Sequence, residues 1–80
     1  MDTKTALQRA VTVVGSQKAL ADAIGVSQQT VWAWIDRESL PAEHCPPIER
    51  ATLGAVTCEE LRPDLAEQFA YLRSTGAKAA

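Results

Sequence analysis

The sequence predicts an all-α fold, a small bundle of five to six helices, on three observations. Apolar residues recur at helical spacing, as at Leu7, Ala10, Val11 and Val14. Helix-starting residues (Ser16, Ser27, Thr57) and breakers (Gly15, Gly25, Pro41, Gly54, Pro63) cut the chain into short helical segments. No stretch alternates apolar and polar residues as a half-buried strand does. The 80 residues make one domain, read here as residues 1–76 with Ala77–Ala80 as a frayed tail. An apolar content of 46% suffices for a globular core, and the charge is too mixed for disorder.

Taken in order, residues 3–14 form the first helix, capped by Thr3 or Asp2 and stopped by Gly15. Residues 16–24 form the second, with Ser16 as cap and Leu20 and Ile24 on one face. Gly25 turns the chain, because glycine enters the left-handed region at little steric cost. Residues 27–37 follow, capped by Ser27, with Val31, Trp34 and Ile35 at i, i+3 and i+4. Leu40-Pro41 breaks the pattern, since a residue before proline avoids helical angles. A short turn through Ala42, Glu43 and His44 leads to a fourth helix from about Pro47 to Leu53, with Ile48 and Ala51 inward and Gly54 as the stop. Thr57 and Glu60 have the spacing of a capping box, and Val56 and Leu61 that of a hydrophobic staple, around a fifth helix from Cys58 to Leu61. Pro63 ends it. Asp64 and Glu67 repeat the capping spacing ahead of a sixth helix carrying Leu65, Phe69 and Leu72, which stops at Gly76.

Gln17 to Arg37 is the organising stretch, and it has the pattern of a helix-turn-helix. Ala21 falls where two helices cross and only a small side chain fits. Val26 plugs the gap between them. Counted from Gln17, the fifth residue is Ala21, the ninth Gly25, the tenth Val26, the fifteenth Val31 and the eighteenth Trp34, each of the type this motif requires. An ordinary helical hairpin with a glycine turn is the plain alternative.

Several function classes are disfavoured. No apolar run reaches membrane-spanning length and no signal peptide opens the chain, so a cytoplasmic location is expected. Cys45 and Cys58 read as small buried thiols rather than a disulfide framework. With His44 the one histidine, no metal site is expected. His44-Cys45 lacks a third orienting group, and Cys58, at a helix start, is expected to be somewhat acidic. Neither comes with a pocket signature, so no enzyme, cofactor or small-molecule substrate is expected. The net charge of −2 argues against non-specific nucleic-acid binding. Its distribution moderates this: residues 1–37 carry four basic against three acidic groups, and residues 38–80 four against seven.

With these motifs in hand, the chain resembles the DNA-binding domain of lambda-type phage repressors and Cro proteins over Gln17–Arg37. The next run is similar to YdaS-like, Cro-like prophage regulators, with a proline-led segment at Pro41, an I-E-x-A-T core at Ile48-Glu49 and Ala51-Thr52, and an L-R-P-D ending at Leu61 to Asp64. The resemblance covers roughly residues 7–64. It implies a helical, sequence-specific binder of a double-stranded DNA operator that represses transcription. An antitoxin-like label attached to this group keeps open a rival: a helix-turn-helix-shaped interaction module that holds a toxin partner.

In the repressor geometry the start of the second motif helix enters the major groove. Gln28 and Gln29 lie there, and a glutamine amide pairs bidentately with the N6 and N7 edge of adenine. Trp32, about 200° around the helix from Trp34, is expected at the surface. There it touches a thymine methyl, meets the sugar–phosphate wall, or covers the loop at Leu40. Gln17 opens the first motif helix, where such domains hold a phosphate; Lys18, Ser27, Thr30 and Arg37 are further phosphate candidates. Few basic groups and a short reading helix favour a two-fold dimer on a palindromic site, with Leu65, Phe69 and Leu72 as candidate interface unless that stripe folds back on the core.

Overall fold

The computed structural model describes residues 2–79, and side chains 2–74. Its helices are α1 (Thr3–Val14), α2 (Gln17–Ile24), α3 (Gln28–Arg37), α4 (Cys45–Ala51), α5 (Cys58–Leu61) and α6 (Ala66–Ala79). Single 3₁₀ turns, Ala42–His44 and Pro63–Leu65, lead into α4 and α6. There is no strand among the described residues.

The starts of α1, α2, α3 and α5 follow from side-chain capping. The Asp2 carboxylate accepts from the Thr5 N–H, Ser16 from Ala19, Ser27 from Thr30 and Thr57 from Glu60. Thr3 is thereby released from capping, and its hydroxyl donates to the Leu61 carbonyl at 2.7 Å, tying α1 to α5. The Thr57–Glu60 capping box is complete.

One core runs through all the helices. Leu7 of α1, Leu20 of α2, Val31 of α3, Leu40, Ile48 of α4, Val56 and Leu61 of α5 are fully buried. Val11, Val14, Ile24, Val26, Ile35 and Phe69 cover its edges. Thr52 is the buried polar residue among them; its hydroxyl accepts from the Val56 N–H and donates to the Glu49 or Val56 carbonyl, so it is satisfied.

Four boundaries differ from the sequence expectation. Helix α4 starts at Cys45 rather than Pro47, because Pro46 and Pro47 occupy first-turn positions where a missing N–H costs nothing. It ends at Ala51, with Leu53 at φ 55 and Gly54 at φ 84 making the turn. Asp64 does not cap α6. Its carboxylate is held by the Arg62 guanidinium at 3.0 and 2.7 Å, and α6 starts at Ala66. Helix α6 also continues through Gly76 to Ala79 instead of stopping there. A glycine inside a helix costs about 1 kcal/mol, a penalty and not a prohibition. Of the tail expected to fray, 77–79 lie in α6 and Ala80 lies outside the described residues.

Two arginines lock the second half. Arg62 Nη1 donates to the Leu40 carbonyl at 2.7 Å, fastening the segment after α3 to the end of α5. Arg73 of α6 reaches both carboxylates of Glu49 (2.8 and 2.9 Å) and Glu59 (2.7 and 3.3 Å). Glu49 also accepts from the Cys58 N–H at 2.8 Å. One carboxylate therefore joins α4, α5 and α6. The Arg73 hydrogen bonds, more than its burial, hold Glu49 down to about 2.

Candidate nucleic-acid interface

The turn between α2 and α3 fixes which face of α3 looks outward. Gly25 adopts φ 78, ψ 30, the left-handed conformation, and its N–H donates to the Ala21 carbonyl. The Val26 N–H donates to the same carbonyl at 3.0 Å. Ala21, 1% exposed, lies against α3 as a small crossing residue must. Val31 and Trp34 then point into the core.

Ile35 packs at the core's edge, and the opposite face of α3 looks to solvent. Gln28 and Gln29 are exposed on its first turn, with Asp36 and Arg37 exposed at its end. Trp32 is 57% exposed, as its position about 200° around the helix from Trp34 leads one to expect. Both glutamine amides are free of intramolecular partners among the described residues. Arg37 and Lys18 make no ion pair among the described residues.

Gln29, Ala33 and Arg37 follow one another at four-residue spacing. With Ser27 and Thr30 they line an open groove of about 420 Å³, walled on the far side by Ser39 and Pro41. Ser27 is a structural cap: its hydroxyl accepts from the Thr30 N–H and is hydrogen-bonded to the Thr30 hydroxyl at 2.8 Å. The two hydroxyls thus share one bond at the rim of the groove. Gln28 and Trp32, four residues apart, form a second exposed line that does not enter this groove. Gln17, half-buried, and Lys18, exposed, open α2 beside the cap Ser16 and also lie outside it.

Sequence reasoning misses Ala33, Ser39 and Pro41. The spacing from Gln29 through Ala33 to Arg37 is a visible signal for the first. The other two reach the groove because Glu38 takes a left-handed φ of 52 and turns the chain back, with the Ser39 N–H on the Trp34 carbonyl at 3.0 Å. No glycine marks that reversal.

The groups considered for chemistry have packing roles. The His44 ring stacks on Trp34, centroids 4.8 Å apart and tilted by 40°. Cys45 and Cys58 are buried free thiols. Burial pushes Cys45 up to about 11 and Cys58 up to about 12, so Cys58 is less acidic than normal, the reverse of the helix-start expectation. Among the described residues no three His, Cys, Asp or Glu side chains cluster as metal ligands. No described helix is long and apolar enough to cross a membrane. Of the stripe on α6, Leu65 and Phe69 are half-buried, Phe69 against the core, while Leu72 is 59% exposed.

The family model described as bacterial toxin YdaS matches residues 7–69. The chain belongs to the YdaS family. The match begins where the resemblance does and extends past the L-R-P-D ending into α6. A curated relative, "Putative transcriptional regulator YdaS" of Escherichia coli (strain K12), is 54% identical over 67 residues, covering 82% of this chain and 66% of the relative. The chain thus spans just under two thirds of that relative's length. Among solved structures, the Cro protein from the putative prophage element Xfaso 1 in Xylella fastidiosa strain Ann-1 is 48% identical and superposes with a TM-score of 0.73, over 75% of this chain and 92% of that one. The all-helical, Cro-like fold is therefore established by a relative similar in both sequence and shape.

Proposed function

We propose that this chain is a sequence-specific double-stranded DNA-binding regulator of transcription, a Cro-like prophage repressor that acts as a dimer on a palindromic operator. One observation carries the reading. The inner face of α3 is spent on the core, while Gln28, Gln29, Trp32 and Arg37 stand free on its outer face. Similarity to the Escherichia coli transcriptional regulator and to the Xylella fastidiosa Cro protein supports it.

In this reading Gln28 and Gln29 read adenine edges, and Trp32 lies against a thymine methyl or the sugar wall. Gln17 and Lys18 at the start of α2, with Ser27, Thr30 and Arg37 around α3, hold phosphates. In this reading the protein acts in the cytoplasm, takes no cofactor and is not an enzyme.

The acidic second half favours a second reading, a protein-interaction module with a helix-turn-helix shape and a toxin partner. Salt titration on duplex DNA separates the two. The regulator loses roughly 0.9 log unit of affinity per log unit of salt for each phosphate neutralised. The interaction module binds no duplex at low salt.

A further inference from the structure

The edge formed by α4, the turn after it and α6 carries apolar groups that the core does not use. Leu53 is 94% exposed, Tyr71 70% and Leu72 59%. Leu53 and Leu72 line one open groove of about 560 Å³. Leu72 and Tyr71 line the next one along α6. The three therefore form a continuous strip. Isolated exposed apolar residues are ordinary, but a contiguous strip marks a contact surface.

Leu53 is held in this position at φ 55, a region that glycine or asparagine occupies more cheaply. Backbone strain that presents a bare leucine to water has no role in the monomer's core. The charges on the strip add direction. Arg50 lines the groove at the Leu53 end, and Glu67 lines the one beside Tyr71. Both are exposed, and neither forms an ion pair among the described residues. A patch that is apolar in the middle, cationic at one end and anionic at the other is complementary to itself under a two-fold rotation.

We propose that this strip joins two copies of the chain, with Leu53 and Leu72 at its centre and Arg50 of each copy facing the partner's Glu67. The proposal rests on the dimeric-operator reading above and names the surface that would serve it. The placement suits that reading. Helix α3 packs on α1 and α2, whereas α6 packs on α5 and the 3₁₀ turn before it, so the strip does not use the helices that hold α3. Half-sites one DNA turn apart are about 34 Å from centre to centre, which puts each α3 about 17 Å from the axis. The molecule's 35 Å long dimension accommodates that.

Sedimentation equilibrium of the full chain over a wide concentration range is the test, alone and on a duplex that the parent selects from a random pool, with the matching single half-site as control. The parent should self-associate. Leu53→Asp and Leu72→Asp should each weaken association by more than about tenfold, as loss of a central apolar contact does, with melts close to the parent's because both side chains are exposed. Arg50→Glu and Glu67→Arg should each weaken it by roughly two- to fivefold, and the double charge reversal should restore it. Both aspartate variants should bind the single half-site like the parent while losing cooperativity on the palindrome. A parent monomeric both free and on duplex, aspartate variants that associate like the parent, or a double reversal no better than the singles would overturn the proposal. A parent that self-associates by these criteria yet binds no duplex overturns the operator reading and leaves the interface standing.

Discussion

Substitution of Gly25 tests the turn on which the orientation of α3 depends. The residue sits at φ 78 in the left-handed region, and an added Cβ would meet nothing within 4 Å. Any cost is therefore conformational and not a clash. For an L-residue with a Cβ that conformation costs about 1–2 kcal/mol. Gly25→Ala should lose about 1 kcal/mol and Gly25→Val about 2, since a branched Cβ fits the region least well. Gly25→Asn should lose least, because asparagine tolerates left-handed angles. In a domain of this size each kcal/mol lowers Tm by about 4–8 °C, so thermal melts by circular dichroism resolve the series. The order Asn, then Ala, then Val follows backbone preference. An order that follows side-chain volume, with Asn worse than Ala, would show crowding at the site, and an unchanged melt for Gly25→Val would refute the turn geometry altogether.

Gln28→Ala and Gln29→Ala should fold like the parent, within about 0.5 kcal/mol, and each should lose about 1–3 kcal/mol of operator binding at one base position of each half-site, with random-duplex binding nearly unchanged. Arg37→Ala should do the opposite, weakening all duplexes alike and reducing the salt slope by about one phosphate, as read in titrations at two salt concentrations. Acid should release α6. Glu49 lies near 4.5 when unfolded and about 2 when folded, so its contribution is complete above about pH 4.5 and disappears as pH falls toward 2. With solvent screening of this half-exposed cluster the contribution is about 1 kcal/mol. Arg73→Ala should therefore flatten the acid limb of stability, and a limb as steep as the parent's would show that the cluster does not set it.

The first half of the fold is legible because its signals are local. Asp2, Ser16 and Ser27 sit three residues before the N–H groups they satisfy, as Thr57 does later in the chain, where Glu60 reaches back to the Thr57 N–H, and Gly25 marks the turn in the sequence itself. The outward face of α3 follows from the inward one, since Val31 and Trp34 leave Gln28, Gln29 and Trp32 nowhere else to point. What is not legible depends on distant partners. Asp64 has the spacing of a cap but is captured by Arg62, which also reaches the Leu40 carbonyl across 22 residues of chain. The carboxylate of Glu49 finds Arg73 24 residues on. The groove beside α3 depends on Glu38 taking a left-handed turn without a glycine. For Cys58, the helix-start rule gives way to burial, which raises the thiol instead of lowering it.

The central claim is that the free face of α3 reads a particular DNA sequence. Selection of bound duplexes from a random pool by the full chain tests it most directly, run beside the Gln28→Ala/Gln29→Ala double variant. The parent should enrich one inverted repeat, with half-sites about one helical turn apart and A·T pairs at the positions the glutamines face. The double variant should lose preference at those pairs and keep the rest. A pool that stays random with the parent, or an enriched site that the double variant selects unchanged, would contradict the assignment of α3 as the reading helix.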